Sequence, residues 1–374
     1  MTRAAASLLA LFLLTACTTT ESLPPEPLRG DLPVSVQPAL EMLAFLGQEG
    51  AELNPSDLLG ETLAAIGFLV DLSAEEVEAA LRASRGTAGE PSALTFRAAA
   101  RAPAEALRSV RTLEEVLAAR SDAIRSRVAR LLPESTDSGP PLPLLLTLGL
   151  KEGQPIGLVP WRGGRALLLD ALALAGSTGG PGVPLDQRAL GRKLARRIAP
   201  ELFHVRYEHS LERSGLTGPL TAGPERLLHA LLNEGCAGFL ALPEAERYDA
   251  QGRRTPVQDS RARGALRRFE QNLAELLDPE TAPDRLESLI WSFSNGPRTE
   301  RWGTYAGALM IDTIDRFARP GRMRAVLANG PLDLIAAYRE ICGRHSAIPP
   351  LDPRAQILLR TLAGSIGPDS AQGV

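Results

Sequence analysis

Apolar residues recur at intervals of three and four over most of this chain, which is the spacing of amphipathic helices. The spacing runs through PALEMLAFLG and PSDLLGETLAAIGFLVDL near the start and returns from Leu185 onward. Two capping boxes, SAEE at Ser73–Glu76 and TLEE at Thr112–Glu115, predict helix starts, and the second predicts a helix that reaches about Arg130. The tail after Ile366 lacks the spacing and is predicted to be disordered.

A different pattern occupies residues 143–174. The apolar runs PLLLTLGL and ALLLDALAL are bounded by Gly and Pro, and IGLVPWRGG lies between them, which predicts two or three strands. We therefore expect an α+β fold that is mostly α-helical, with a small β-sheet before a helix that begins near residue 186.

The N-terminus resembles a bacterial lipoprotein signal. Arg3 precedes an apolar run from Ala4 to Ala16 that is too short to span a bilayer, and LTAC ends this run at Cys17. We expect the residues before Cys17 to be removed and Cys17 to be lipidated, which would anchor the chain to a membrane. An ordinary secretory signal is the alternative. Thr18 after the cysteine favours the outer membrane, by resemblance to lipoprotein sorting rules.

The net charge limits the class of partner, and the cysteine content raises the question of a disulfide. The net charge is −3 over 374 residues, which argues against a nucleic-acid partner because such a partner requires a basic face. Two further cysteines, Cys236 and Cys342, remain after Cys17. Since an exported protein meets an oxidising compartment, these two either pair in a disulfide or stay as buried free thiols.

One predicted helix, over residues 188–210, carries the candidate chemistry in the stretch IAPELFHVRYEH. Its apolar stripe comprises Leu190, Leu194, Ile198, Leu202 and Val205. A second face comprises Arg197, Glu201, His204 and Glu208, at spacings of four, three and four. Such a face is common on solvated helices, where Arg197 and Glu201 would form an ion pair, so this stretch alone does not define a site.

Within it, PELFH differs by one residue from the zinc-binding helix motif HExxH. In that motif two histidines one turn apart bind zinc, and the Glu after the first histidine polarises the bound water. Glu201 and His204 occupy the second and fifth places, but Pro200 occupies the first. Proline has no metal-binding atom and removes a helical hydrogen bond, so the motif loses one ligand and the helix is expected to bend.

Two later stretches strengthen the comparison. NEGCA, within LLHALLNEGCAGFL at 227–240, resembles the Asn-Glu-Gly-x-Ala turn with which gluzincin peptidases supply a third zinc ligand. WGTYAGALMIDTIDRF at 302–317, followed by LANGPLDLIAAY, looks like the C-terminal helices of an uncharacterised family of gluzincin-like, zinc-dependent peptidases. The resemblance covers roughly residues 35–340, and it rests on the order and spacing of these segments.

The resemblance implies a role for each matching residue. Glu201 would be the general base, His204 and Glu234 would be zinc ligands, and Tyr305 would stabilise the developing oxyanion. Three small residues of the second motif would let its helix approach the His204 helix closely; they are Gly235, Ala237 and Gly238.

Other residues fill the missing ligand position poorly. His209 lies five positions after His204 and His229 lies five before Glu234, about 140° away around a helix, so both point elsewhere. Glu208 shares a face with His204 and could substitute only if the metal shifted by one turn. We expect His209, His229 and the remote His345 to be structural.

The expected organisation has five parts. They are a lipoprotein signal peptide at 1–16, lipidated Cys17 with a flexible tether at 17–35, an N-terminal helical region at 36–134, a gluzincin-like peptidase region at 140–345, and a terminal helix with a disordered tail at 346–374. The peptidase region would hold strands in 143–174, motif helices at 186–212 and 224–241, and C-terminal helices in 302–340.

Three functions are compatible with the sequence. We favour a membrane-anchored lipoprotein of the cell envelope with a zinc-peptidase-like fold and a degenerate site, which binds Zn²⁺ weakly or not at all and has impaired or no activity. The alternatives are an active metallohydrolase with an altered ligand set, and a non-enzymatic helical lipoprotein that acts as a binding or scaffold module. A peptide or protein partner is compatible with all three.

Overall fold

The structure, a computed structural model, describes residues 32–47, 53, 55–85, 96–133, 139–150, 154–176, 186–213, 224–242, 256–295 and 301–365. The predicted signal peptide, Cys17, most of the tether and the tail after Ile366 lie outside the described residues. The chain divides into two compact units, one within residues 1–114 and 141–177 and the other within residues 115–140 and 178–374.

A four-stranded sheet belongs to the first unit. Its strands are β1 (Val34–Ser35), β2 (Leu144–Thr147), β3 (Ile156–Trp161) and β4 (Gly164–Asp170). The strand order is β1-β2-β4-β3, with β1 parallel to β2, β2 parallel to β4, and β3 antiparallel to β4. Regular structure therefore begins before residue 36, since β1 contains the last two residues that the sequence assigned to the tether.

Local sequence determines both ends of β4. Arg162 and Gly163 form the two-residue turn from β3 with φ values of +45° and +76°, the left-handed conformation of tight hairpin turns. At the other end, Asp170 Oδ1 accepts a hydrogen bond from the N–H of Ala173 at 2.9 Å, and Oδ2 accepts one from the N–H of Leu150 at 2.9 Å. The chain becomes helical directly after Asp170, so the second half of ALLLDALAL is a helix rather than a strand.

Helices complete the first unit. They are α1 (Gln37–Gly47), α2 (Asp57–Val70), α3 (Ala74–Ala83), α4 (Phe96–Arg101), the first part of α5 (Pro103–Ala129) and α6 (Ala171–Gly176). The capping box before α3 is confirmed, because Ser73 Oγ accepts from the N–H of Glu76 and the Glu76 carboxylate accepts from the N–H of Ser73. The helix start predicted at Thr112–Glu115 is wrong, since these residues lie inside α5, which begins at Pro103.

The second unit is helical in its described part. After the rest of α5 it contains α7 (Gln187–Arg213), α8 (Pro224–Ala241), α9 (Pro256–Leu276), α10 (Pro283–Ser294), α11 (Trp302–Phe317), α12 (Arg322–Asn329), α13 (Pro331–Arg344) and α14 (Pro353–Ser365). Helix α11 is buried along most of its length and packs against α8, α9 and α13. The α+β, mostly helical fold class is confirmed.

The sheet and the motif helices fall in different units. The strands of 143–174 form a compact unit with the N-terminal helices, and the helices from 186 onward belong to the second unit. Among the helices that the structure describes, none combines the length and the apolar character that a membrane crossing requires.

Candidate functional site

Helix α7 has the apolar stripe that its sequence predicts. The side chains of Leu190, Leu194, Ile198 and Leu202 are fully buried, and Val205 is nearly so. Pro200 lies inside the helix and is also buried. Because proline has no N–H, it cannot donate to the carbonyl one turn earlier, at Arg196, so the hydrogen-bond ladder of α7 is interrupted just before His204.

His204 is oriented by the neighbouring helix α8. Its Nδ1–H donates a hydrogen bond to the Oδ1 atom of Asn233 at 2.9 Å. An amide oxygen can only accept, so this bond places the proton of the neutral ring on Nδ1 and leaves the lone pair on Nε2. Asn233 directly precedes Glu234, so one turn of α8 both orients the imidazole and supplies the carboxylate.

His204 and Glu234 line the same cavity, which has a volume of about 390 Å³. Its described lining residues are Arg197, His204, Glu234, Ala237, Gly238, Ala241, Leu242, Arg301, Thr304, Tyr305 and Ala308. They come from α7, from α8 with the residue after it, and from the first two turns of α11 with the residue before it. Three residues that the sequence singled out, His204, Glu234 and Tyr305, are therefore brought to one place.

The first turn of α11 contacts the carboxylate directly. Thr304 Oγ1 donates a hydrogen bond to Glu234 Oε2 at 3.4 Å, which is long for such a bond. Tyr305 is partly buried and lies one position further along the same wall. The carboxylate thus keeps most of its hydrogen-bonding capacity on the cavity side.

Arg197 also belongs to this cavity, and it does not form the ion pair with Glu201 that the alternative of a solvated helix face implied. Arg197 forms no ion pair or hydrogen bond with any residue that the structure describes, and it lines the cavity instead. Burial lowers the pKa of Lys193, one turn earlier in the helix, and the positive charge of Arg197 lowers it further.

Glu201 and Glu208 are placed differently from His204. Both are partly buried, and neither is among the described residues that line the cavity. The three histidines expected to be structural have local partners: His209 Nδ1 lies 3.6 Å from Glu212 Oε2, His229 Nδ1 lies 3.2 Å from the hydroxyl of Tyr207, and His345 lies against the Phe317 ring.

The small residues of α8 mostly face a different helix from the one expected. A Cβ added to Gly235 would lie 2.6 Å from the carbonyl carbon of Gly307, and one added to Gly238 would lie 3.0 Å from the Thr304 methyl group. Gly235 and Gly238 thus allow α8 to approach α11 rather than the His204 helix α7. Ala237 lines the cavity.

Both described cysteines are free, so the disulfide alternative for Cys236 and Cys342 is not formed. Cys236 is fully buried in α8, and burial raises the pKa of its thiol. Burial likewise raises the pKa of Tyr207. Cys342 is partly exposed in α13, and its thiol donates to the carbonyl of Pro349 at 3.7 Å.

A protein family with the description "Putative zinc dependent peptidase (DUF5700)" matches residues 121–347, more than half of the chain. The chain belongs to this family. The match includes α7, α8 and α11, the three helices that build the cavity, and it confirms the family resemblance that the sequence motifs indicated. Neither the curated proteins nor the solved structures contain a match to the chain.

The zinc dependence of the family can be compared with the donor atoms of this member. Zinc peptidases use three protein ligands and keep a fourth position open. In the described part of the chain, no three His, Cys, Asp or Glu side chains are close enough to share a metal ion. The place of the first ligand holds Pro200, which has no donor atom, so the described residues do not supply the three ligands of a catalytic zinc site.

Sequence reasoning did not single out four of the polar residues around the cavity. It placed Arg197 on an ordinary surface face, and it assigned no role to Asn233, Arg301 or Thr304. Asn233 had a signal, since it is part of the NEGCA motif. Arg301 precedes and Thr304 lies within the quoted WGTY start of α11, but the hydrogen bond of Thr304 to Glu234 depends on how α8 and α11 pack.

Proposed function

We propose that this chain is a lipid-anchored, degenerate member of the peptidase family, which keeps a peptide-binding cavity without a catalytic metal. The observation that carries the proposal is Pro200, buried in α7 one turn before His204. His204 and Glu234, the two remaining donors, still line one cavity. A zinc site that had lost one ligand would have this arrangement, which supports the proposal.

The physical cost of the replacement is large. Loss of a partner in the outer shell of a zinc site typically weakens metal binding by about 10–100-fold, and loss of a direct ligand should cost more. In a peptidase, zinc supplies an acidified water for the glutamate base. Glu201 is not among the described lining residues of the cavity, which also supports loss of that reaction.

An altered ligand set has little support. Glu208, the expected substitute, is likewise not among the described residues that line the cavity. A metal shifted by one turn along α7 toward Glu208 would therefore move away from Glu234. It would gain one ligand and lose another.

Zinc binding tests the proposal. We expect metal analysis and calorimetric titration to show no stoichiometric zinc in the unmodified protein. The variant Pro200→His should bind zinc at least about tenfold more tightly, because it restores a donor one turn before His204. Pro200→Ala is the matched control, since it removes the proline without adding a donor and should not gain affinity. Tight stoichiometric zinc in the unmodified protein would refute degeneracy.

The lipid anchor is a separate part of the proposal. It is supported by the apolar run that ends in LTAC at Cys17, and Thr18 favours the outer membrane. Expression in a bacterium with radiolabelled palmitate should label the unmodified chain and leave Cys17→Ser unlabelled. Release of an unlabelled, cleaved protein into the periplasm would instead support an ordinary secretory signal.

A further inference from the structure

The described walls of the cavity carry more positive than negative charge. Arg197 and Arg301 contribute two guanidinium groups, whereas Glu234 is the only acidic side chain among the described lining residues. A ligand that enters beside Arg197 is therefore favoured if it is anionic.

Arg197 is suited to hold a carboxylate. It lines the cavity while forming no ion pair with a residue in the described part of the chain, not even with Glu201 one turn later. A guanidinium group matches the two oxygens of a carboxylate with two parallel N–H donors, and such charge-assisted pairs are among the stronger hydrogen bonds in proteins.

The Glu234 carboxylate distinguishes among anionic ligands. Glu234 accepts one long hydrogen bond from Thr304, so its carboxylate needs a further donor from any ligand that covers it. A simple aliphatic acid offers none, whereas the last peptide N–H before a C-terminal carboxylate does. Small residues also line the cavity, at Ala237, Gly238, Ala241 and Ala308. The volume of about 390 Å³ is at the lower end of small-ligand sites.

We infer that this cavity captures the C-terminal end of a peptide, with Arg197 binding the terminal carboxylate and Glu234 accepting the adjacent peptide N–H. The inference rests on the proposed function in one respect: the cavity is taken as a peptide cleft that has lost its metal. The ligand class is a peptide with a free carboxyl terminus and a small or aliphatic last side chain.

Matched peptide pools test this inference. One pool contains N-acetylated tripeptides with free carboxyl termini, and the other contains the same tripeptides as carboxamides. Equilibrium dialysis in the presence of EDTA, read out by mass spectrometry, should show the acid pool bound about two- to fivefold more tightly than the amide pool, because only the acid pairs with Arg197, which is exposed.

Variants identify the group responsible. Arg197→Gln should abolish the preference for the acid pool, and Arg197→Lys should restore part of it because lysine keeps the charge but not the two parallel donors. Arg192→Gln is the matched control, since Arg192 is exposed on the same helix and is not among the described lining residues; it should retain the full preference.

Several outcomes would overturn the inference. They are absence of binding for both pools, equal binding of both, and an equal effect of the Arg192 and Arg197 variants. Failure of the proposed function would look different: peptides from the acid pool would be recovered cleaved when zinc is supplied. Even in that case, a preference for the acid pool that depends on Arg197 and is measured in EDTA would still support capture of the C-terminal carboxylate.

Discussion

Gly235 and Gly307 face each other in backbone contact where α8 packs against α11. A Cβ on Gly235 would lie 2.6 Å from the carbonyl carbon of Gly307, and a Cβ on Gly307 would lie 2.3 Å from the carbonyl oxygen of Leu231. Real Cβ atoms do not approach other atoms this closely, so glycine is required on both helices. The contact has a consequence for the cavity, because Glu234 precedes Gly235 and meets Thr304 of α11 at 3.4 Å.

The first prediction concerns this crossing. Gly307→Ala should lower the free energy of unfolding by about 1–3 kcal/mol, because the new methyl group meets backbone atoms and forces the helices apart. Urea denaturation measures the change. Gly264→Ala in α9 is the matched control, since nothing lies within 4 Å of its added Cβ; it should raise stability by about 0.5–1 kcal/mol. Equal stabilities of the two variants would contradict the close contact.

The same crossing marks a limit of the sequence. The small residues after Glu234 predicted a close helix neighbour, and a close neighbour is present, but it is α11 instead of α7. Small residues indicate that another backbone approaches closely, but they do not indicate which helix this backbone belongs to. Helix bounds were easier, because α7 and α8 end within a residue or two of the limits that periodicity and Pro or Gly breaks predicted.

The second prediction concerns the hydrogen bond between His204 and Asn233. Asn233→Ala removes the acceptor for Nδ1–H, so the neutral ring of His204 should populate the tautomer protonated at Nε2. Nitrogen-15 NMR of the imidazole at alkaline pH distinguishes the two tautomers. Asn233→Asp keeps an oxygen acceptor and should retain the Nδ1–H form, and His345 serves as an internal reference. An unchanged His204 spectrum in Asn233→Ala would show that the bond does not determine the tautomer.

The candidate site was predictable only where a motif fixed the residue. HExxH and NEG spacing located His204 and Glu234, and both line the cavity. Arg197 lies on the same helix but belongs to no motif. Helical periodicity alone places Arg197, Glu201 and His204 on one face and cannot tell which side chains reach the cavity, because this depends on α11, about a hundred residues away in the sequence.

The third prediction concerns the reactivity of the thiols. Burial raises the pKa of Cys236, so little reactive thiolate forms at mildly alkaline pH, and the sulfur is also inaccessible. Cys342 is partly exposed and should react with N-ethylmaleimide in the native protein, whereas Cys236 should react only after denaturation. Peptide mapping by mass spectrometry assigns each modification. A disulfide between the two peptides, or equal native labelling, would contradict the structure.

The fourth prediction concerns Asp170, where the strand β4 passes into the helix α6. The Asp170 side chain is fully buried, and its two oxygens accept hydrogen bonds from the N–H groups of Leu150 and Ala173. Asp170→Ala leaves both groups without these acceptors, which should cost about 2–5 kcal/mol of stability in the first unit. Thermal denaturation followed by circular dichroism measures the loss.

Asp170→Asn is the matched variant for this site. It keeps the shape of the side chain and one acceptor oxygen but replaces the other oxygen with an NH₂ donor, which would face a backbone N–H. Its stability should therefore fall between that of the unmodified protein and that of Asp170→Ala. If Asp170→Asn were as stable as the unmodified protein, only one of the two hydrogen bonds would contribute to stability.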